Sequence, residues 1–184
     1  MEENVFLVKW YGPFASPEDE KTWEKGQDFK CSLYLLHGML KGAKTAETYY
    51  CGMSTRAVYE RLRDKGHHLA EVKNRLNSIY VGTIANVQDL TRRQICVVEK
   101  LITAYLAWEL GEKRILNETN FHFPSENVYI INEWYKHYDV DKLWERQPIN
   151  APSHIVPDVI ASHLCEDGYI DLYGSKKLKK LHLI

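Results

Sequence analysis

The sequence predicts an α+β domain, and three observations carry that prediction. Short runs of strand-forming residues stand at Ser32-Leu33-Tyr34-Leu35-Leu36, at Thr48-Tyr49-Tyr50-Cys51 and at Ser78 to Ile84, rich in aromatic and β-branched side chains. Between the second and third lies a short basic helix. After the third comes the best-bounded helix of the chain, opened by Thr91-Arg92-Arg93-Gln94 and stopped by Gly111.

Taken in order, Val5 to Trp10 reads as a strand, an edge addition to a sheet, ended by Gly12-Pro13. Ser16-Pro17-Glu18-Asp19 is a helix start: a capping hydroxyl, proline at the first position and acids in the first turn. The segment between the first two strand runs holds Gly38 and Gly42 and is longer than a tight hairpin needs. Beyond Gly52, Ser54-Thr55 opens a helix with Val58, Tyr59 and Leu62 at helical spacing, and Leu69, Val72 and Leu76 continue that period past His67-His68. The stretch from Glu126 to Trp144 alternates aromatics and acids and reads as a helix packing across the core. Pro148, Pro152 and Pro157 break the next segment, and His163 to Tyr173 reads as a small strand or turn unit. The closing run Lys176 to Lys180 is either a phosphate-contacting arm or a solubilising tail.

A chain of 184 residues suits one domain with additions and can bury a real core. No apolar run approaches the ~20 residues of a membrane span, and Glu2 and Glu3 stand where a signal peptide would be positive. Cys31, Cys51, Cys96 and Cys165 are widely spaced and form no metal pattern, which reads as free thiols in a reducing cytoplasm. Net charge is −1, so nothing global points to a polyanion. From Arg56 to Arg93, however, eight Lys/Arg face four Asp/Glu, and a local field suffices to bind phosphates. A solvated helix face is the competing reading.

Within the long helix, Ile95, Val98, Ile102, Tyr105 and Leu106 make one stripe, and Glu99 lies in it. A carboxylate there is costly unless a cation or donors meet it. It is either a salt-bridged residue at the edge of the stripe or a metal ligand.

Ser32-Leu33-Tyr34, then Tyr50-Cys51-Gly52, then Arg61, then His67-His68 form an ordered set that resembles the GIY-YIG nucleases over residues 30–120, about half the chain. Both tyrosine positions and the second glycine match; the first glycine and both isoleucines do not. The resemblance implies a small three-stranded antiparallel sheet flanked by helices, with additions at 1–29 and 121–184. It implies DNA phosphodiester hydrolysis with one Mg²⁺ or Mn²⁺ ion held by Glu99. Arg61 would hold the scissile phosphate. Tyr34 would act as general base or position the attacking water, and Tyr50 would donate a hydrogen bond to phosphate or water. His67 or His68 would relay the proton, and Asn117, after Ile115-Leu116, matches the family's apolar-Asn pair, with Asn120 as a second candidate. Arg56, Arg63, Lys65, Lys73 and Arg75 would contact double-stranded DNA. One such site cuts one strand, so a double cut needs a homodimer or two successive acts. The alternative is a catalytically silent nucleic-acid-binding or interaction protein that keeps the fold; such a binder has no use for Glu99, which repels phosphate without a metal.

Overall fold

The computed structural model describes residues 4–29, 31–137, 143–165 and 170–174. The α+β class holds, but the sheet is not a three-stranded one. All eight strands join a single mixed sheet. They are β1 (Asn4–Phe14), β2 (Ser32–Gly38), β3 (Thr48–Ser54), β4 (Leu76–Ile84), β5 (Val128–Lys136), β6 (Glu145–Arg146), β7 (Val159–Leu164) and β8 (Ile170–Gly174). The order is β3-β2-β4-β1-β5-β7-β8, with β6 beside β5. The helices are α1 (Pro17–Glu24), α2 (Val58–Arg61), α3 (Leu69–Val72) and α4 (Arg92–Leu110).

Strands β2, β3 and β4 form the antiparallel trio that the motifs predict: Tyr34 faces Gly52 on one side and Val81 on the other. The sheet continues because β1 is no edge strand. It pairs antiparallel with β4, Trp10 beside Gly82, and parallel with β5, Trp10 beside Trp134. Phe6, Val8 and Trp10 alternate into the core, and such a strand needs neighbours on both sides to satisfy its backbone. Gly82 makes the crossing possible, since a Cβ there would stand 2.6 Å from the Trp10 ring.

Within the expected helix at 126–144, residues Val128–Lys136 form strand β5 instead. Val128, Ile130, Asn132 and Trp134 are buried and the residues between them are not, a period of two that no helix face can bury. The proposed unit at 163–173 is a β7–β8 antiparallel pair that begins earlier, at Val159. Tyr138 and the lysine run at 176–180 lie outside the described residues.

Helix α4 covers one face of the sheet. Ile95, Val98, Leu101, Ile102 and Leu106 pack on Phe6, Val8, Leu33, Leu35, Val128 and Ile130. Each fully buried aliphatic side chain contributes about 1.5–3 kcal/mol. A second cluster lies on the other face: Tyr34, Leu36, Ile79 and Val81 from the strands against Val58 and Leu62 around α2 and Leu69 and Val72 of α3. The expected helix after Ser54-Thr55 is reduced to one turn. Ser54 Oγ accepts from the Arg56 N–H at 3.2 Å and donates to the Arg56 carbonyl at 2.7 Å, which makes a turn rather than a cap. No helix among the described residues is long and apolar enough to cross a membrane, and all four cysteines are free thiols.

Candidate active site

Strand β3 ends the sheet, and its start is held from outside by the chain that follows α4. Ile115 bridges Tyr49, the Leu116 N–H donates to the Tyr49 carbonyl at 2.8 Å, and Asn117 completes the pairing with its side chain. Asn117 Oδ1 accepts from the Cys51 N–H at 3.1 Å and its Nδ2 donates to the Cys51 carbonyl at 2.6 Å. The carboxamide thus acts as one residue of a neighbouring strand and holds the backbone between Tyr50 and Gly52. Asn120 occupies a left-handed turn position (φ 71°), which suits asparagine.

Alternation along β2 and β3 puts Tyr34 and Tyr50 on the face that carries α2 and α3, with ring centroids 5.8 Å apart. Gly52 makes room for them, since a Cβ there would lie 2.5 Å from the Tyr34 hydroxyl and 2.7 Å from the Tyr50 ring. His67 meets Tyr34, Nε2 to Oη, at 2.9 Å. His67 Nδ1 accepts from the Leu69 N–H at 3.0 Å. In a neutral imidazole with Nδ1 accepting, the proton sits on Nε2, so His67 donates to Tyr34. Burial, with the charges of Arg61 and His68 added, pushes the His67 pKa down to about 4, so that neutral form prevails at pH 7. The His68 ring lies 4.8 Å from that of Tyr50, tilted by 37°, and pairs with Glu71 at 2.6 Å. Of the two histidines, only His67 touches Tyr34.

The Tyr34 phenol is fully buried and its pKa is raised well above 10, by desolvation first and then by Tyr50. The neighbouring Tyr34 phenol acts on Tyr50 in the opposite sense and lowers it. Tyr50 nonetheless stays above its ordinary value through burial and the nearby charge of Glu99. The result is a directed pair of hydrogen bonds, Leu69 N–H to His67 and His67 to Tyr34, with the Tyr50 ring packed against both His67 and Tyr34.

Arg61, half-exposed at the end of α2, lies close enough for its charge to act on Tyr34, Tyr50, His67 and Glu99. Its guanidinium donates to Asp64 at 2.6 Å, and this pairing holds it firmly protonated. Asp64 also takes Arg56 at 2.5 Å. The sequence reading passed over Asp64; its place three residues after Arg61 is the signal that could have found it. Arg63, Lys65 and Lys73 are exposed. Arg75 is turned inward, donating to the carbonyls of Leu40 and Ala43, so it braces the loop after β2 instead of facing solvent with a free charge.

Glu99 stands on α4, which packs on the other face of the sheet and against β3, and its charge acts on Tyr50 and Cys51. Desolvation raises its pKa to about 7, with Arg61 opposing the shift. It makes no hydrogen bond or ion pair among the described residues, nor do three or more His, Cys, Asp or Glu side chains gather there as a metal cluster. A desolvated carboxylate without a donor fits a hard, hydrated cation, because Mg²⁺ keeps most of its waters and needs only one or two carboxylates. The expected site residues thus divide. Tyr34, Tyr50 and His67 are in mutual contact, and the charge of Arg61 acts on all three and on Glu99; Asn117 holds the strand that carries Tyr50; Arg75 is engaged elsewhere. No protein-family model matches this chain, and neither a curated protein nor a solved structure does.

Proposed function

We propose that this protein is a metal-dependent endonuclease of the GIY-YIG kind, hydrolysing phosphodiester bonds in double-stranded DNA. The observation that carries the reading is the His67–Tyr34 hydrogen bond with Tyr50 packed against both rings, beside a charged arginine and a carboxylate without a hydrogen-bond donor among the described residues. Hydrolysis of a phosphodiester needs a place for the proton of the attacking water and positive charge on the phosphoryl oxygens. Tyr34 is wholly buried, whereas Tyr50 keeps 8% of its surface exposed. Tyr50 is therefore the group that accepts the proton, and the hydrogen-bonded His67–Tyr34 pair packed against it holds its ring in place. Arg61 offers a fixed fork to the phosphate. Glu99 would hold a divalent ion, which would supply charge to the phosphoryl oxygens and offset the carboxylate that raises Tyr50. The exposed Arg63, Lys65 and Lys73 add phosphate contacts that carry no sequence information.

The test is nicking of supercoiled plasmid with Mg²⁺ or Mn²⁺, wild type beside Glu99→Ala, with DNA binding followed in parallel. The expected result is that wild type nicks while Glu99→Ala binds and does not cut. Equal cutting by both would remove Glu99 from the mechanism. Binding without cutting by wild type, on a mixed-sequence DNA library as well as plasmid, would leave the silent-binder reading in its place.

A further inference from the structure

Helix α2 is a single turn, yet it must hold Arg61 still. Its N-cap position is Ala57, which has no side chain to accept the first N–H groups. Those groups are met from 34 and 35 residues away: the Val58 N–H donates to Glu24 Oε1 at 2.7 Å and the Tyr59 N–H to Glu24 Oε2 at 3.1 Å. Glu24 is the last residue of α1 and is 6% exposed. One turn earlier, Glu20 is wholly buried, and burial together with the charge of Glu24 raises its pKa to about 9. It therefore stands beside Glu24 as a neutral acid. Lys21 lies over the Tyr59 ring at 5.5 Å, a further tie between the two helices.

We propose that Glu24 is a positioning residue for Arg61, so that the segment before residue 30, which bears no motif of its own, is part of the site. Both oxygens of one carboxylate fix the start of α2, and Asp64 fixes the guanidinium at 2.6 Å. Val58, which follows directly, is buried against the cluster containing Tyr34 and Tyr50, so the turn is registered on the tyrosines from one side and on α1 from the other. The inference rests on the nuclease reading for its functional consequence but not for its geometry.

A double-mutant cycle tests it: Glu24→Ala, Arg61→Ala and the pair, read as single-turnover nicking rate and as DNA affinity. Glu24→Ala is expected to slow nicking by at least ~10-fold in wild type and by less than ~2-fold when Arg61 is already alanine, since a residue acting only through Arg61 has nothing left to position. Glu24→Gln, which keeps one acceptor oxygen, is expected to fall between and serves if the alanine variant does not fold. Amide hydrogen exchange at Val58 and Tyr59 is the second readout, with protection lost in the Glu24 variants and retained in β2. Equal losses in both arginine backgrounds, or unchanged protection at Val58 and Tyr59, would overturn the proposal. If wild type cuts no DNA, the nuclease reading falls alone. The exchange data and the cycle in DNA affinity then decide Glu24.

Discussion

Helices α4 and α2 each bring one charged group to the same edge of the sheet, and they are built in opposite ways. The first runs nineteen residues and closes its own start: Thr91 Oγ1 accepts from the Gln94 N–H, and Gln94 Oε1 accepts from the Thr91 N–H. It is packed along its length on the core, and Glu99 sits in its third turn. The second is four residues long, has no cap of its own and borrows one from α1. An isolated turn is unstable because nucleation fixes many dihedrals for one hydrogen bond. Arg61 is therefore placed by tertiary contacts, and Glu99 by its own helix. The difference teaches that the carboxylate side of the site is rigid by local sequence, whereas the arginine side depends on segments far away in the chain.

The largest effect should come from the rigid side. Glu99→Gln keeps shape and removes charge, and nicking is expected to fall about 10²–10³-fold, the usual loss when one preorganised electrostatic group is removed. Stability should move the other way. Glu99 has a folded pKa of about 7 against an ordinary 4.5, so the unfolded chain releases this proton first as pH rises. The wild type accordingly loses stability between pH 4.5 and 7 and has lost all of this contribution above that window. After a discount for partial exposure, the amount is on the order of 2 kcal/mol. Glu99→Gln should thus be more stable than wild type at pH 8 and nearly equal at pH 4.5, as read by thermal unfolding at both. A variant that unfolds more readily at pH 8 and still nicks would mean that Glu99 is a structural residue.

The same contrast decides what could be read from the chain alone. The capping box, the apolar stripe and Gly111 are local signals, and α4 is where they place it. Tyr34, Tyr50, Arg61 and His67 were legible as a spaced set, and Glu99 as a carboxylate where an apolar residue belongs. What stayed hidden is non-local. Nothing around Val5 to Trp10 reveals that the strand will find β5 as a parallel partner more than a hundred residues on. The mix of aromatics and acids over β5 suggests a helix only where its period of two is overlooked. Glu24, at the end of a charged helix, carries no local sign of its role. Only folding shows it to be a cap for another element, and Asn117 likewise gives no sign that it will stand in for a strand.

A moderate effect separates helix integrity from site geometry. Thr91→Ala removes the side-chain half of the α4 cap and is expected to cost ~1 kcal/mol, seen as a lower urea midpoint with an unchanged slope. Nicking by the folded protein should change less than ~2-fold, because Glu99 lies two turns inside a helix anchored by Ile95, Val98 and Ile102. A tenfold loss of nicking would show that α4 too is held only at its end.

The smallest effect is the most selective. Ala57 has φ −51° and ψ 136°, close to the extended geometry of a capping residue, so a serine there can accept from the first turn of α2 without moving the backbone. In wild type the two N–H groups already have Glu24, and Ala57→Ser should change stability by no more than ~0.5 kcal/mol. In the Glu24→Ala background the same serine meets an unfilled need. It should restore part of the lost nicking and part of the exchange protection at Tyr59. Local capping would then do for α2 what Thr91 does for α4. Were the serine neutral in both backgrounds, Glu24 would have to act through its place between the two helices rather than through the N–H groups it accepts from.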